Sequence, residues 1–195
     1  MYTLILIGVS MIVSLMIIPV VIAVSKKLDI VDKPNFRKIH TKPISMLGGS
    51  AILLSFLIGI WLGEPIEREI KPLLLGSVVI YLVGLIDDLY DLKPIIKLIG
   101  QILAATVVVS YGVTIDFISL PIGPTIHFGW LGIPITIFWI VAITNAINLI
   151  DGLDGLAAGV SVIALATIAF IAILQGNIFI IMICSVLIGS LLGFL

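Results

Sequence analysis

Charge is scarce in this chain of 195 residues: Asp, Glu, Lys and Arg make up 11% of it, against about 25% in a soluble domain. So few charges cannot cover a soluble globule of this size, and 61% of the residues come from the set AVILMFWYC. That composition excludes an ordinary soluble fold, a disordered chain and a basic nucleic-acid-binding domain. Cysteine is nearly absent. Cys184 lies alone inside an apolar run, which excludes a disulfide framework and a cysteine-based metal site. Repeats of fixed period and low-complexity linkers are also missing, so residues 1–195 read as a single transmembrane domain. Basic residues are absent from Thr114–Trp130 and from Asn145–Gly155, and this gap carries information about orientation.

What the chain has is apolar runs with short polar breaks. The runs predict helices over Thr3–Val24, Gly48–Leu62, Pro72–Ile86, Ile95–Val113, Leu131–Ala146, Leu156–Leu174 and Ile178–Leu195. A spanning helix needs roughly 20 apolar residues. The expected fold class is therefore an all-α polytopic membrane protein with about seven transmembrane helices. The first run has no basic stretch before it and Lys26 and Lys27 after it, which reads as a retained signal-anchor helix. Lys26, Lys27, Lys33, Arg37, Lys38, Lys42, Lys93 and Lys97 fall on alternate breaks, and Arg68 and Lys71 on the other side. The positive-inside rule then puts the N-terminus outside and the C-terminus in the cytoplasm, in the cell membrane. On the outer side, alternation around Ile-Gly-Pro within Thr114–Trp130 predicts a small extracytoplasmic β-hairpin, with Trp130 and Trp139 as interfacial anchors.

Carboxylates near a membrane cost free energy and are usually there for a reason. Asp87, Asp88 and Asp91 form one group, in GLIDDLYDLKPIIK. Adjacent carboxylates repel unless a cation sits beside them, and oxygen-only ligands suit Mg²⁺ bridged to substrate phosphate. Such a pair can also supply a general base. The plainer alternative is a solvated helix end. Lys97, just downstream, is either a phosphate partner or a positive-inside anchor.

A second group spaces Asn145, Asn148, Asp151 and Asp154 three apart in NAINLIDGLDGLAAG. That spacing lines one helix face, whereas the glycines after both aspartates favour a turn with exposed amides. Either arrangement can read a base, a sugar or a metal. Asp151 or Asp154 is also expected to cap the following helix. A third region, VDKPNFRKIHTKP before LGG, is a stiffened basic loop. There Arg37, Lys38 and His40 could hold a phosphate or pyrophosphate, or serve only as a topology signal.

Together these three blocks, in this order and spacing, resemble the polyprenyl-phosphate N-acetylhexosamine-1-phosphate transferases, glycosyltransferase family 4. The form of the first loop is more similar to the branch that starts teichoic acid, O-antigen or enterobacterial common antigen than to the peptidoglycan branch. The resemblance implies transfer of a sugar-1-phosphate from a UDP-N-acetylhexosamine, UDP-GlcNAc being the first choice. The acceptor is undecaprenyl phosphate, UMP is released, and Mg²⁺ (with Mn²⁺ as an alternative) is required. It also implies roles. Asp87 and Asp88 are the catalytic pair, with Asp88 and Asp151 near the metal. Lys97 steadies phosphate, Asn148, Asp151 and Asp154 line the nucleotide site, and Arg37 and His40 touch substrate.

The family often has Pro and Arg where this chain has Ser45 and Met46. Members continue past the position of Leu195 to a Met-Gly-Asp loop that holds Mg²⁺ and then to a His-rich loop. The expectation is therefore a chain that carries half of a site, weak or inactive alone unless a second chain completes it. Members are often dimeric, so a homodimer is an expected assembly. The alternative readings are a catalytically incomplete fragment and a membrane transporter, the latter disfavoured because the acids gather at helix ends.

Overall fold

The computed structural model describes residues 2–32, 44–63, 70–120, 123–153 and 155–195. Among them are seven α-helices: α1 (Tyr2–Lys27), α2 (Gly48–Leu62), α3 (Ile70–Tyr90), α4 (Pro94–Ser110), α5 (Gly132–Ile150), α6 (Leu156–Gln175) and α7 (Ile178–Phe194). There are also two small antiparallel pairs. β1 (Val31–Asp32) joins β2 (Ile44–Ser45), and β3 (Phe117–Ser119) joins β4 (Thr125–His127). Four helices are long and apolar enough to cross a membrane, namely α1, α3, α5 and α6. The other three have 15 to 17 residues. At 1.5 Å per residue they reach about 22–26 Å, short of a hydrocarbon core of about 30 Å.

The helices fall into two compact units, Met1–Ile66 with Asp151–Leu195, and Glu67–Ile150. In the first unit, α1 packs on α2 and α7, and α7 also meets α2 and α6. Lipid tails are as apolar as leucine, so helices here associate through close packing of small residues. Gly189 and Gly193, one turn apart on α7, face Ser10 and Ser14 on α1, all of them buried. A Cβ at Gly193 would lie 2.5 Å from the Met11 carbonyl oxygen and 2.7 Å from Ser14 Cβ, and one at Gly189 would lie 2.9 Å from Ser10 Cβ. The β1–β2 pair was not foreseen. Two residues per strand leave no alternation to read.

In the second unit, α4 packs between α3 and α5. Its buried face is Gln101, Ala104, Ala105, Val108 and Val109, a 3.6-residue stripe. Along the α3–α4 seam, a Cβ on Gly76 would meet Val108, and one on Gly100 would lie 2.7 Å from Val83. The expected hairpin is present, with Phe117 opposite His127, Ile118 opposite Ile126 and Ser119 opposite Thr125. Its Phe117 and His127 rings stand 5.7 Å apart. Thr136 on α5 ties the preceding loop down. Its hydroxyl accepts from the Ile115 amide at 2.8 Å and donates to the Gly132 carbonyl at 2.6 Å.

Four helix ends differ from expectation: α1 runs past Val24 to Lys27, α4 stops at Ser110 before reaching Val113, and α3 and α5 both run on. α3 runs on past Ile86 through Asp87 and Asp88 to Tyr90, because charge alone does not interrupt backbone hydrogen bonding. The stop is Asp91, in the left-handed region at φ 50°, followed by Lys93 in extended geometry before Pro94 at the start of α4. α5 likewise continues past Ala146 to Ile150. The residue at the N-cap of α6 is Gly155 at φ 74°, not an aspartate. Asp151 therefore does not occupy that cap, and Asp154 lies outside the described residues.

Gly189→Ala should lower the unfolding free energy in detergent micelles by about 1–3 kcal/mol, read as a fall in melting temperature, since the extra methyl has no room against α1. An unchanged melting temperature would remove the α1–α7 contact from the packing core.

Candidate functional site

Three charged residues of the second unit stand where helix dipoles do not favour them. Asp87 and Asp88 are in the last turn of α3, beside its partial negative charge, and Lys97 is in the first turn of α4, beside a partial positive one. The turn between these helices brings the opposite charges together. Lys97 Nζ donates to Asp87 Oδ2 at 2.7 Å, with the two side chains 21% and 20% exposed. The same nitrogen donates to Asn148 Oδ1 on α5 at 2.8 Å. One ammonium thus joins three helices. Of its three N–H donors, two are used among the described residues.

One turn further along α4 lies a second polar rung. Gln101 is 2% exposed, and its Nε2 donates to Asn145 Oδ1 at 3.4 Å. In return, Asn145 Nδ2 donates to Gln101 Oε1 at 2.7 Å and to the Val141 carbonyl at 2.8 Å. The amide pair, Gln101 buried and Asn145 half-buried, is therefore bonded in both directions.

Of the residues singled out from sequence, Asp87, Lys97 and Asn148 come together. Asp88 is exposed next to Asp87 on α3. The polar stripe of the second block is divided by the end of α5. Asn145 and Asn148 are helical and face α4, whereas Asp151 is exposed in the turn that follows Ile150. Arg37, His40 and Asp154 lie outside the described residues. Among the described residues, no three of His, Cys, Asp or Glu gather into a metal cluster. Sequence reasoning did not assign a role to Gln101. Its signal was its place four residues after Lys97, on the same helix face.

Comparison with known proteins decides the family. The profile described as Glycosyl transferase family 4 matches residues 71–195, which include all of this polar cluster. The chain belongs to that family. A probable undecaprenyl-phosphate N-acetylglucosaminyl 1-phosphate transferase of Bacillus subtilis (strain 168) is 42% identical over 189 residues, covering 96% of this chain and 53% of that protein. An undecaprenyl-phosphate alpha-N-acetylglucosaminyl 1-phosphate transferase of Thermotoga maritima is 37% identical over 150 residues, 77% of this chain and 46% of its own. A phospho-N-acetylmuramoyl-pentapeptide-transferase of Enterococcus hirae is 32% identical over 181 residues, 83% and 54%. The chain spans about half the length of the curated relatives it matches.

A double-mutant cycle on Asp87→Ala and Lys97→Ala should give a coupling energy of about 1 kcal/mol in denaturant unfolding, as for polar contacts between membrane helices. Strict additivity would show that the two groups do not stabilise each other.

Proposed function

We propose that this family 4 chain forms part of a membrane transferase that moves N-acetylhexosamine-1-phosphate, GlcNAc-1-phosphate in the first instance, from a UDP-sugar to undecaprenyl phosphate. The observation that carries the reading is the convergence of Asp87, Lys97 and Asn148, from three helices, on one ammonium group. Family membership and the names of the relatives support the reaction class. The 42% identity to the Bacillus subtilis GlcNAc-phosphate transferase, against 32% to the Enterococcus hirae muramoyl-pentapeptide enzyme, supports the choice of sugar.

In this reaction an oxygen of the lipid phosphate attacks the sugar-bearing β-phosphorus of the UDP-sugar. The bond to the bridging oxygen breaks, and UMP leaves with it. Both reactants are anions, so the work is positioning and charge neutralisation. Lys97 offers its remaining N–H to a phosphate oxygen while Asp87 and Asn148 fix its direction. Asp87 and Asp88 act as base toward the lipid phosphate, and Asp151 and Asp154, next in sequence after the helix that carries Asn148, are assigned to the nucleotide. Arg37 and His40 complete the substrate contacts. The hard oxygen donors of Asp88 and Asp151 suit Mg²⁺, which proteins hold with one or two carboxylates alongside water and phosphate. The ion, when bound, would neutralise phosphate charge.

The same reading has seven crossings, with α2, α4 and α7 as the short spans. The N-terminus and the β3–β4 hairpin are outside, and the site is at the cytoplasmic face of the cell membrane. The distribution of Lys and Arg supports this orientation. The polyprenyl tail then stays in lipid while its phosphate reaches the site, and a homodimer is the assembly proposed.

The protein expressed from its complete coding sequence should release UMP from UDP-GlcNAc when given undecaprenyl phosphate and Mg²⁺. Asp88→Asn should lower turnover at least about 100-fold. No UMP from any UDP-sugar would reject the transferase reading, and unchanged turnover in the variant would remove the aspartate pair from the chemistry.

A further inference from the structure

We infer that the amide pair of buried Gln101 and half-buried Asn145 is a positioning device that sets the register of α4 against α5 and so aims the Lys97 ammonium. Gln101 lies four residues after Lys97 on α4, about 6 Å along the axis. Asn145 lies three residues before Asn148 on α5, about 4.5 Å along its axis. The helices run antiparallel, so the two rungs, Lys97 with Asn148 and Gln101 with Asn145, are one turn apart on the same seam.

The inner rung is the one with specificity. Ala104, Ala105 and Val108 also line the buried face of α4, and an apolar surface of that kind allows sliding and rotation. A slip of one turn would carry Gln101 about 5.4 Å from its partner and leave two amides unpaired in an apolar setting. The reciprocal geometry also fixes which way each amide points, because Asn145 Nδ2 is already committed to the Val141 carbonyl. A polar pair set among apolar neighbours is a known way to select a single register. The side-chain hydrogen bonds of Gln101 and Asn145 run to each other and to Val141, not to the ammonium or the carboxylate, so the two residues act through Lys97 as positioning residues.

The test reads Lys97 directly. In the intact protein in detergent micelles, the side-chain amines are acylated with an N-hydroxysuccinimide acetate, and labelling rates at Lys93 and Lys97 are followed by mass spectrometry. The double variant Gln101→Met with Asn145→Leu removes both amides without leaving either unpaired, so the helices stay packed. Its labelling at Lys97 should rise about three-fold, the size of one lost interhelical polar contact, with Lys93 unchanged. The exchanged pair Gln101→Asn with Asn145→Gln keeps two amides on the seam and should return Lys97 to the native rate. Equal Lys97 labelling in the double variant and the native protein would overturn the inference, as would an equal rise at Lys93, which marks general loosening of α4.

The catalytic consequence rests on the transferase reading: UMP release should fall in the double variant and recover in the exchanged one. If the native protein releases no UMP while labelling follows the expected pattern, the reading fails and the positioning role stands.

Discussion

A positive charge at the start of α4 and a negative charge at the end of α3 oppose the dipoles of their own helices, and the contact between them resolves both conflicts. The 2.7 Å bond from Lys97 to Asp87 gives each charge a partner that the local backbone denies it. Asn148 then ties α5 to the same nitrogen. Much of the second unit is arranged to make this meeting exact. The left-handed Asp91 and the Pro94 start make the turn tight, and Gly100 lets Val83 come close beside it. Local preference is broken at this contact, and the surrounding packing compensates.

The first unit is held by a different device. Its α1–α7 contact has no ion pair among the described residues. It has serines and glycines whose lack of bulk lets two backbones approach, which is what remains when the solvent itself is apolar. The two units thus show the two means by which helices in lipid recognise each other: shape between small residues, and rare polar groups that must find partners.

Most of the fold was legible because hydrophobic runs announce themselves. Gly48–Leu62 ends where the sequence places it, and the hairpin around Gly123 follows from alternation on either side of Gly-Pro. The errors fall at helix ends: α4 stops at Ser110, short of Val113 and before the left-handed Gly112, and the others are at polar ends. The runs stop at Ile86 and Ala146, but the helices continue to Tyr90 and Ile150, since a helix ends where its backbone meets a breaker and not where its side chains become polar. The same error hid the division of the second motif. Asn145 and Asn148 belong to a helix face and Asp151 to a turn, a distinction that equal spacing of three cannot make.

By itself the sequence determined that the chain is helical and apolar, which residues are scarce enough to carry chemistry, and which family they resemble. Those properties are written in composition and in local order. Only the tertiary structure decided that Lys97 spends two of its donors on Asp87 and Asn148, and that Gln101 is paired with Asn145 and not merely carried along in a motif. Asn148 is 51 residues from Lys97, and Asn145 is 44 from Gln101. Contacts at that range depend on how α4 and α5 are turned toward each other. That rotation is set by burial and by the need to pair polar groups, neither of which a single helix can show.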